Sequence, residues 1–418
     1  MKTDDSIFTP KYRAYTLFVL TAVYVFSFID RQILVILQES IKEELSLSDT
    51  QLGLMSGFSF ALFYVSFGLP IARLADKGNR RNIIALSLLI WSAMTALSGR
   101  ASNFVHLLLA RFGVGIGEAG CSPPAHSIIS DLYPREKRGT AMAIYSMGIS
   151  IGILVGFLGG GWINEYFGWR TAFLAIGLPG ILLALLLRFT VKEPPRGLSD
   201  NKEIKEDSPD IGTVVKMLWN STAFRYLALG ASLSTYTLYT LNSWLPPFLN
   251  RIHHMGSGEI GTWLSLLFGI GGGLGYFFGG YLSDRLGRNN EKWYMILPAI
   301  GILSAIPFTA LTLFSNQSWL ALVSFALPVF SISMYLAPCI AMTHSIVGVR
   351  MRAFASAVLF FIINIIGLGC GPLITGVLSD LWHPSMGDES LRWALSTCLI
   401  AHLLAAFFYL KASRALKN

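Results

Sequence analysis

Charge is what this chain has least of. Only 13% of its 418 residues are Asp, Glu, Lys or Arg, roughly half the share found in soluble domains. A chain so poor in charge is not solvated on all sides, which argues against a soluble enzyme or binding module. Cysteine is scarce as well. Cys121, Cys339, Cys370 and Cys398 all stand inside apolar segments, without metal-ligand spacing and away from loops. That excludes a disulfide framework and reads them as small apolar packing residues. There is no His-rich cluster, nucleophile motif or phosphate-cradling glycine loop, so no metal, no cofactor and no enzymatic activity is expected. No cleavable signal is expected either, because the polar, mixed-charge start leads into an apolar run too long for one. The net charge of +8 would suit nucleic acid if it formed a patch, but the bases are scattered through short loops.

What the chain does have is hydrophobic length. Residues of apolar type make up 53% of it, in runs long enough to cross a bilayer, roughly 17–25 residues each. Twelve candidate helices lie at about 14–37, 50–74, 82–99, 103–131, 138–162, 168–190, 224–249, 258–283, 293–314, 318–346, 353–380 and 391–411. The longest break holds Glu193-Pro194-Pro195-Arg196-Gly197 and a charged stretch from Asn201 to Asp210. It reads as a linker with room for a short surface helix. The expected fold is an all-α integral membrane protein of twelve transmembrane helices in two pseudo-symmetric six-helix bundles. The bundles are 1–191 and 223–418, with a cytoplasmic linker at 192–222. With the N-terminus in the cytoplasm, only Lys42, Arg100, Arg170, Arg251 and Arg392 of the 32 bases fall on the opposite side, while Arg31 and Arg111 fall within helices. The positive-inside rule therefore places both termini in the cytoplasm. Short loops suit a bacterial inner membrane.

The halves repeat each other. Ala72-Arg73-Leu74-Ala75-Asp76-Lys77-Gly78-Asn79-Arg80-Arg81 ends the second apolar segment, and Gly280-Tyr281-Leu282-Ser283-Asp284-Arg285-Leu286-Gly287-Arg288-Asn289 ends the eighth. Arg138 opens the fifth segment as Arg352 opens the eleventh. Parallel six-helix repeats are a transporter design with the substrate site near the midplane.

On these residues the chain resembles the major facilitator superfamily over nearly its whole length. The second loop copy keeps both signature glycines, whereas the first has Ala72 and Asn79 in their places; asparagine tolerates the left-handed backbone better than most residues. Arg111-x-x-x-Gly115-x-Gly117 and Gly148-x-x-x-Gly152-x-x-x-Gly156 carry the match further. A narrower similarity, on Phe28-Ile29-Asp30-Arg31 and Arg111 to Ala119, is to the spinster branch of lysolipid and sphingolipid transporters. That resemblance implies an amphipathic lipid substrate and a role for the matching charges in proton coupling or switching. A polar metabolite or drug exporter on the same fold is the alternative.

The residues themselves support a coupling site. A charge at mid-membrane costs about 2.5–3.5 kcal/mol on insertion scales, yet the first half carries Asp30, Arg31, Arg111 and Glu118 inside helices. Arg111 and Glu118, seven apart, share a helix face with Ser122 and, less closely, His126. A structural network that locks the first and fourth helices is one use. Proton coupling is the other, with Glu118 the carrier because Asp30 has Arg31 as its covalent neighbour. The second half has no such charges, and His344 reads as a packing residue. Its seventh helix carries Thr235, Tyr236, Tyr239 and Asn242 on a polar face, with Asn364 of the eleventh helix toward the same space. Helix packing and cavity lining are both open for these residues.

The loops read as cytoplasmic locks built from Asp76, Arg80, Asp131, Arg138, Asp284, Arg288 and Arg352. Asp76 and Asp284 can accept from helix N-termini, and Asp131 can pair with Arg80. Ser345 stands where the second half would need a counterpart to Asp131, so the first lock should be the stronger. Expected partners are the substrate, protons and membrane lipids; nucleic acid is not one, and the chain is expected to act as a monomer.

Overall fold

The structure is a computed structural model and describes residues 8–199, 211–347 and 351–416. Every regular element among them is helical. In chain order these are α1 (Pro10–Leu45), α2 (Asp49–Ala75), α3 (Arg80–Ser98), α4 (Phe104–Leu132) and α5 (Glu136–Thr190). They are followed by α6 (Ile211–Asn220) and α7 (Thr222–His253). The chain ends with α8 (Ser257–Gly287), α9 (Trp293–Phe314), α10 (Ser318–Ile346), α11 (Phe354–Met386) and α12 (Glu389–Ala415). Ten are long and apolar enough to cross a bilayer. Within α5 the backbone breaks at Gly168, whose φ of 79° suits glycine, so α5 provides two crossings. α7, at 32 residues, is long enough to cross but more polar. With these two features the expected count of twelve is met.

Side chains set the helix starts. Asn103 and Ser221 each accept from the backbone N–H three residues on. Asn79 does the same for Asn82 at 2.9 Å, with an extended backbone of φ −82°. The left-handed conformation that the loop signature suggests at Asn79 is thus replaced by a cap. Pro123 and Pro124 fall in the first turn of Ser122–Leu132, after a break that follows Glu118. Proline lacks only an amide that would be unbonded there.

The molecule divides into two compact units. The first holds residues 1–45 and 62–206, the second 46–61 and 207–418. These units differ from the sequence bundles in two places. Residues 46–61 pack with the second unit, and residues 192–199 of the linker stretch belong to the first.

In the first unit α1 lies on the first half of α5. Gly152 allows that approach: a Cβ there would sit 2.6 Å from Phe28 Cβ and 2.6 Å from Val25 O. The stretch of α1 from Phe28 to Arg31 is thereby fixed against a helix with no side chain in the way. In the second unit Tyr236, Cys398 and Ala401 form a buried cluster. Large apolar residues such as Phe18, Phe189 and Phe277 stay on the surface, as expected of faces turned to lipid.

Candidate functional site

The first unit buries charge. Asp30 and Glu118 are each 1% exposed and Arg111 2%. Arg31 Nε donates to Glu118 Oε2 at 2.8 Å, and Ser27 Oγ donates to the same oxygen at 2.9 Å. Glu118 Oε1 has no hydrogen-bond partner in the structure. The pair is unequal in access, since the Arg31 side chain is 17% exposed and that of Glu118 0%. Two rings flank the Arg31 guanidinium, Phe28 at 4.9 Å and Tyr64 at 5.1 Å from their centroids, within cation–π range.

Arg111 stands in the field of both carboxylates, and its Nη1 reaches the Asp30 carbonyl oxygen at 3.5 Å. Thr95 and Trp91 of α3 stand beside Asp30, but neither carboxylate oxygen has a hydrogen-bond partner within normal reach. Two acids and two bases make the cluster neutral as a whole. Keeping such groups charged away from water requires good pairing.

Past Glu118 the wall of the site becomes aromatic. Tyr145 of α5 stacks on Tyr24 of α1 at 4.4 Å, and His126 meets the Tyr145 ring edge-on at 5.2 Å. Ser122 lies half-buried beside this group. Sequence reasoning missed Ser27, Tyr64 and the tyrosine stack. An i, i+4 spacing from Ser27 to Arg31 was available as a signal for the first.

The second unit treats its polar residues differently. Thr235 Oγ1 donates to Ala231 O at 2.8 Å and is hydrogen-bonded to the Tyr335 hydroxyl at 2.7 Å. A Cβ on Gly367 would come within 2.4 Å of Thr235. Tyr236 packs instead against Cys398 and Ala401. Thr235 and Tyr236 therefore bind neighbouring helices in different directions, and the single polar face read along α7 divides. Tyr239 is half-buried and Asn242 buried. Asn364, half-buried, donates to Phe360 O of its own helix at 2.8 Å. His344 pairs with Ser356 at 2.6 Å.

A second charged centre lies at the α2–α3 loop. Arg80 is 1% exposed and all its reach is used. Nε donates to Glu193 at 2.7 Å, Nη1 to Ser127 at 2.8 Å and to Asp131, and Nη2 to Pro194 O at 2.8 Å. Glu193 also accepts from Arg81 N at 2.8 Å, and Asp131 from Gly197 N at 3.0 Å. Arg196 Nη2 donates to Ala75 O at 2.6 Å. Residues 193–199 thus form a strap across the ends of α2, α3 and α4. The sequence reading placed Arg80 and Asp131 here but took Glu193 for linker. Arg138 donates to Ser130 O at 2.8 Å, closing the same corner. The Asp76 side chain lies outside the described residues.

The second loop copy is built otherwise. Asp284 accepts from the Tyr294 hydroxyl at 2.9 Å, where acceptance from a helix N-terminus was expected. Arg288 and Arg352 are exposed, and Ser345 Oγ turns back to Met342 O. No group of His, Cys, Asp and Glu suited to a metal occurs among the described residues.

A multi-pass helical membrane protein built on a repeated six-helix plan, with charges buried among its helices, is a transporter by design and not an enzyme. The chain belongs to the Major Facilitator Superfamily, whose sequence profile matches residues 20–312 and 227–417. It is 32% identical over 403 residues to an MFS-type efflux pump of Mycolicibacterium smegmatis, covering 94% of this chain and 91% of the pump. It is 27% identical over 420 residues to protein spinster homolog 1 of Xenopus tropicalis, covering 94% and 79%. A solved structure of a bacterial homolog to the human lysosomal transporter Spinster, described as inward-facing and unoccupied, matches with a TM-score of 0.90. That match has 34% identity and covers 97% of this chain and 98% of the other. The spinster-type resemblance therefore holds for sequence and for fold.

Proposed function

We propose that the protein is a proton-coupled secondary transporter of an amphipathic, lipid-like substrate of the lysophospholipid or sphingolipid type. It acts by alternating access from the inner membrane of a bacterium, with both termini cytoplasmic. The observation that carries the reading is the half-open ion pair. Glu118 is sealed, while Arg31, its partner at 2.8 Å, reaches a partly exposed edge. Ionised Glu118 holds Arg31 and Ser27. When it takes a proton, the charge pair is lost and Arg31 keeps its ring contacts with Phe28 and Tyr64. Arg31 is then available to an anionic headgroup, so proton binding and substrate binding are linked through one guanidinium.

Flux of a lysophospholipid into proteoliposomes under an imposed pH gradient tests the reading. Glu118→Gln mimics the protonated acid, and we expect it to remove the pH dependence while the protein stays folded. Unchanged pH dependence in that variant overturns the coupling role, and absence of lysophospholipid flux in the unaltered protein overturns the substrate class. The efflux-pump relative favours a second reading, export of a polar metabolite or drug through the same site. The same gradient then drives that solute and not the lipid.

A further inference from the structure

One corner of the second unit gathers bases without acids. α6, the first half of α7 (222–238) and the last half of α12 (402–415) carry Lys216, Arg225, Lys411 and Arg414 but no Asp or Glu. The two long helices run antiparallel. Tyr236 packs against Cys398 and Ala401, Ser234 Oγ is hydrogen-bonded to the Tyr409 hydroxyl at 3.0 Å, and Tyr226 stacks on Phe408 with ring centroids 6.2 Å apart. The start of α7 therefore lies beside the end of α12. Next to the Tyr226–Phe408 stack, Lys411 Nζ stands 5.5 Å from the Phe407 ring centroid. Arg414 follows about one turn further along α12. On the α7 side Arg225 precedes Tyr226, is exposed, and donates from Nη2 to Thr222 Oγ1 at 3.1 Å. Among the described residues no acid pairs with any of the four bases. Arg225 on one helix and Lys411 and Arg414 on the other thus flank a floor of three rings.

α6 completes the corner. It packs on α7 and on the start of α11, burying Val214 and Leu218, one turn apart. Val215 and Trp219, also one turn apart, stay 42% and 62% exposed. Lys216 and Asn220 take the opposite, polar face. A helix whose apolar arc is wider than its protein contact suits a membrane interface, where tryptophan is favoured. Only Ser221 separates α6 from α7, so Trp219 stands at the level where α7 leaves the bilayer. Topology asks for bases on one side of the membrane. It does not ask for them to converge on rings between two helices, or for an apolar helix edge beside them. Both features match a lipid with a negative headgroup: the bases meet its phosphate, and the rings and the Val215–Trp219 edge meet its apolar part. A soluble anion would use the bases alone.

We infer that the α6–α7–α12 corner of the second unit is a docking site for an anionic phospholipid of the surrounding bilayer, held as a resident lipid and not as cargo. The site is independent of which solute is carried, and its test uses no transported substrate, so a failed substrate assignment leaves it standing. The full chain in detergent is mixed with equal amounts of dioleoyl phosphatidylglycerol and dioleoyl phosphatidylcholine, and retained lipid is counted by native mass spectrometry. We expect phosphatidylglycerol to be preferred at least about tenfold, well under what three bases allow at about fivefold each. The triple variant Arg225→Ala, Lys411→Ala, Arg414→Ala should bring the preference below about twofold. Removing three exposed bases of the first unit, Lys11, Arg188 and Lys192, changes net charge equally and should leave the preference intact. Equal loss in both triple variants, or a preference that survives the first, overturns the proposal. So does displacement of the lipid by excess glycerol phosphate, which would mark a site for soluble anions. The second measurement places α6. In vesicles, the fluorescence that disappears in Trp219→Phe should be quenched more by brominated phosphatidylglycerol than by brominated phosphatidylcholine, and equally by both in the first triple variant. No quenching of Trp219 by either lipid, or no difference between them in the unaltered chain, overturns the assignment.

Discussion

Arg80 and Arg288 occupy matching places in the two copies of one loop phrase, and their fates are opposite. Arg80 is enclosed by Asp131, Glu193, Ser127 and a proline carbonyl. Arg288 is exposed. The acid of the second copy, Asp284, turns to a tyrosine on the next helix. A repeated sequence therefore specifies a place in the fold, not an environment. The environment comes from elements outside the repeat, here the strap at 193–199 and the acid at the end of α4. Charge is likewise gathered in the first unit in the membrane interior, where Glu118 and Arg31 meet, while the second unit pairs hydroxyls with tyrosines.

This contrast can be broken by substitution. Arg80→Ala leaves Asp131 and Glu193 facing each other, and removing one member of a buried pair costs about 3–5 kcal/mol. We expect a large drop in unfolding temperature in detergent, against a change within about 0.5 kcal/mol for Arg288→Ala. Equal drops would abolish the distinction. Glu193→Gln removes a charge-assisted bond to Arg80 and should cost about 1.5–3 kcal/mol by denaturant titration; no change would show that the strap does not hold the corner. Tyr294→Phe deletes one exposed contact to Asp284, so its cost in the same titration should be at most about 1 kcal/mol. Ser345→Asp sharpens the comparison from the other side. An acid at this place should add less than about 0.5 kcal/mol, because Arg288 remains in solvent. A gain approaching the Arg80 effect would mean that the loop phrase itself builds the lock.

The fold was largely legible in the sequence because bilayer-length apolar runs and loop bases are local signals. The Arg80–Asp131 pair and the Arg31–Glu118 pair were also within reach, the first through repeat comparison and the second through the scarcity of charge inside helices. The buried ion pair of Asp49 with Arg251, 2.8 Å between Nη1 and Oδ2, was not. Its members stand about half a chain apart, each looks like an ordinary loop charge, and only folding brings them together. Glu193 was hidden by its neighbours, since Pro194-Pro195 and Gly197 read as linker, yet the acid accepts from Arg80 and from the Arg81 backbone. The polar face of α7 failed for a different reason. Helical spacing shows which residues share a face, but in a bundle every face has a neighbour, and Thr235 and Tyr236 met different ones.

The strap also decides where this polypeptide can be divided. Expressed as two fragments parted after Val191, the first bundle would lose Glu193 and Pro194 and expose a buried guanidinium with half its partners gone. Parted after Ser199, whose hydroxyl lies 2.8 Å from the Asp131 carbonyl, the same bundle would keep its own closure. Co-expression of fragments cut at these two points should give a stable first half only from the later cut.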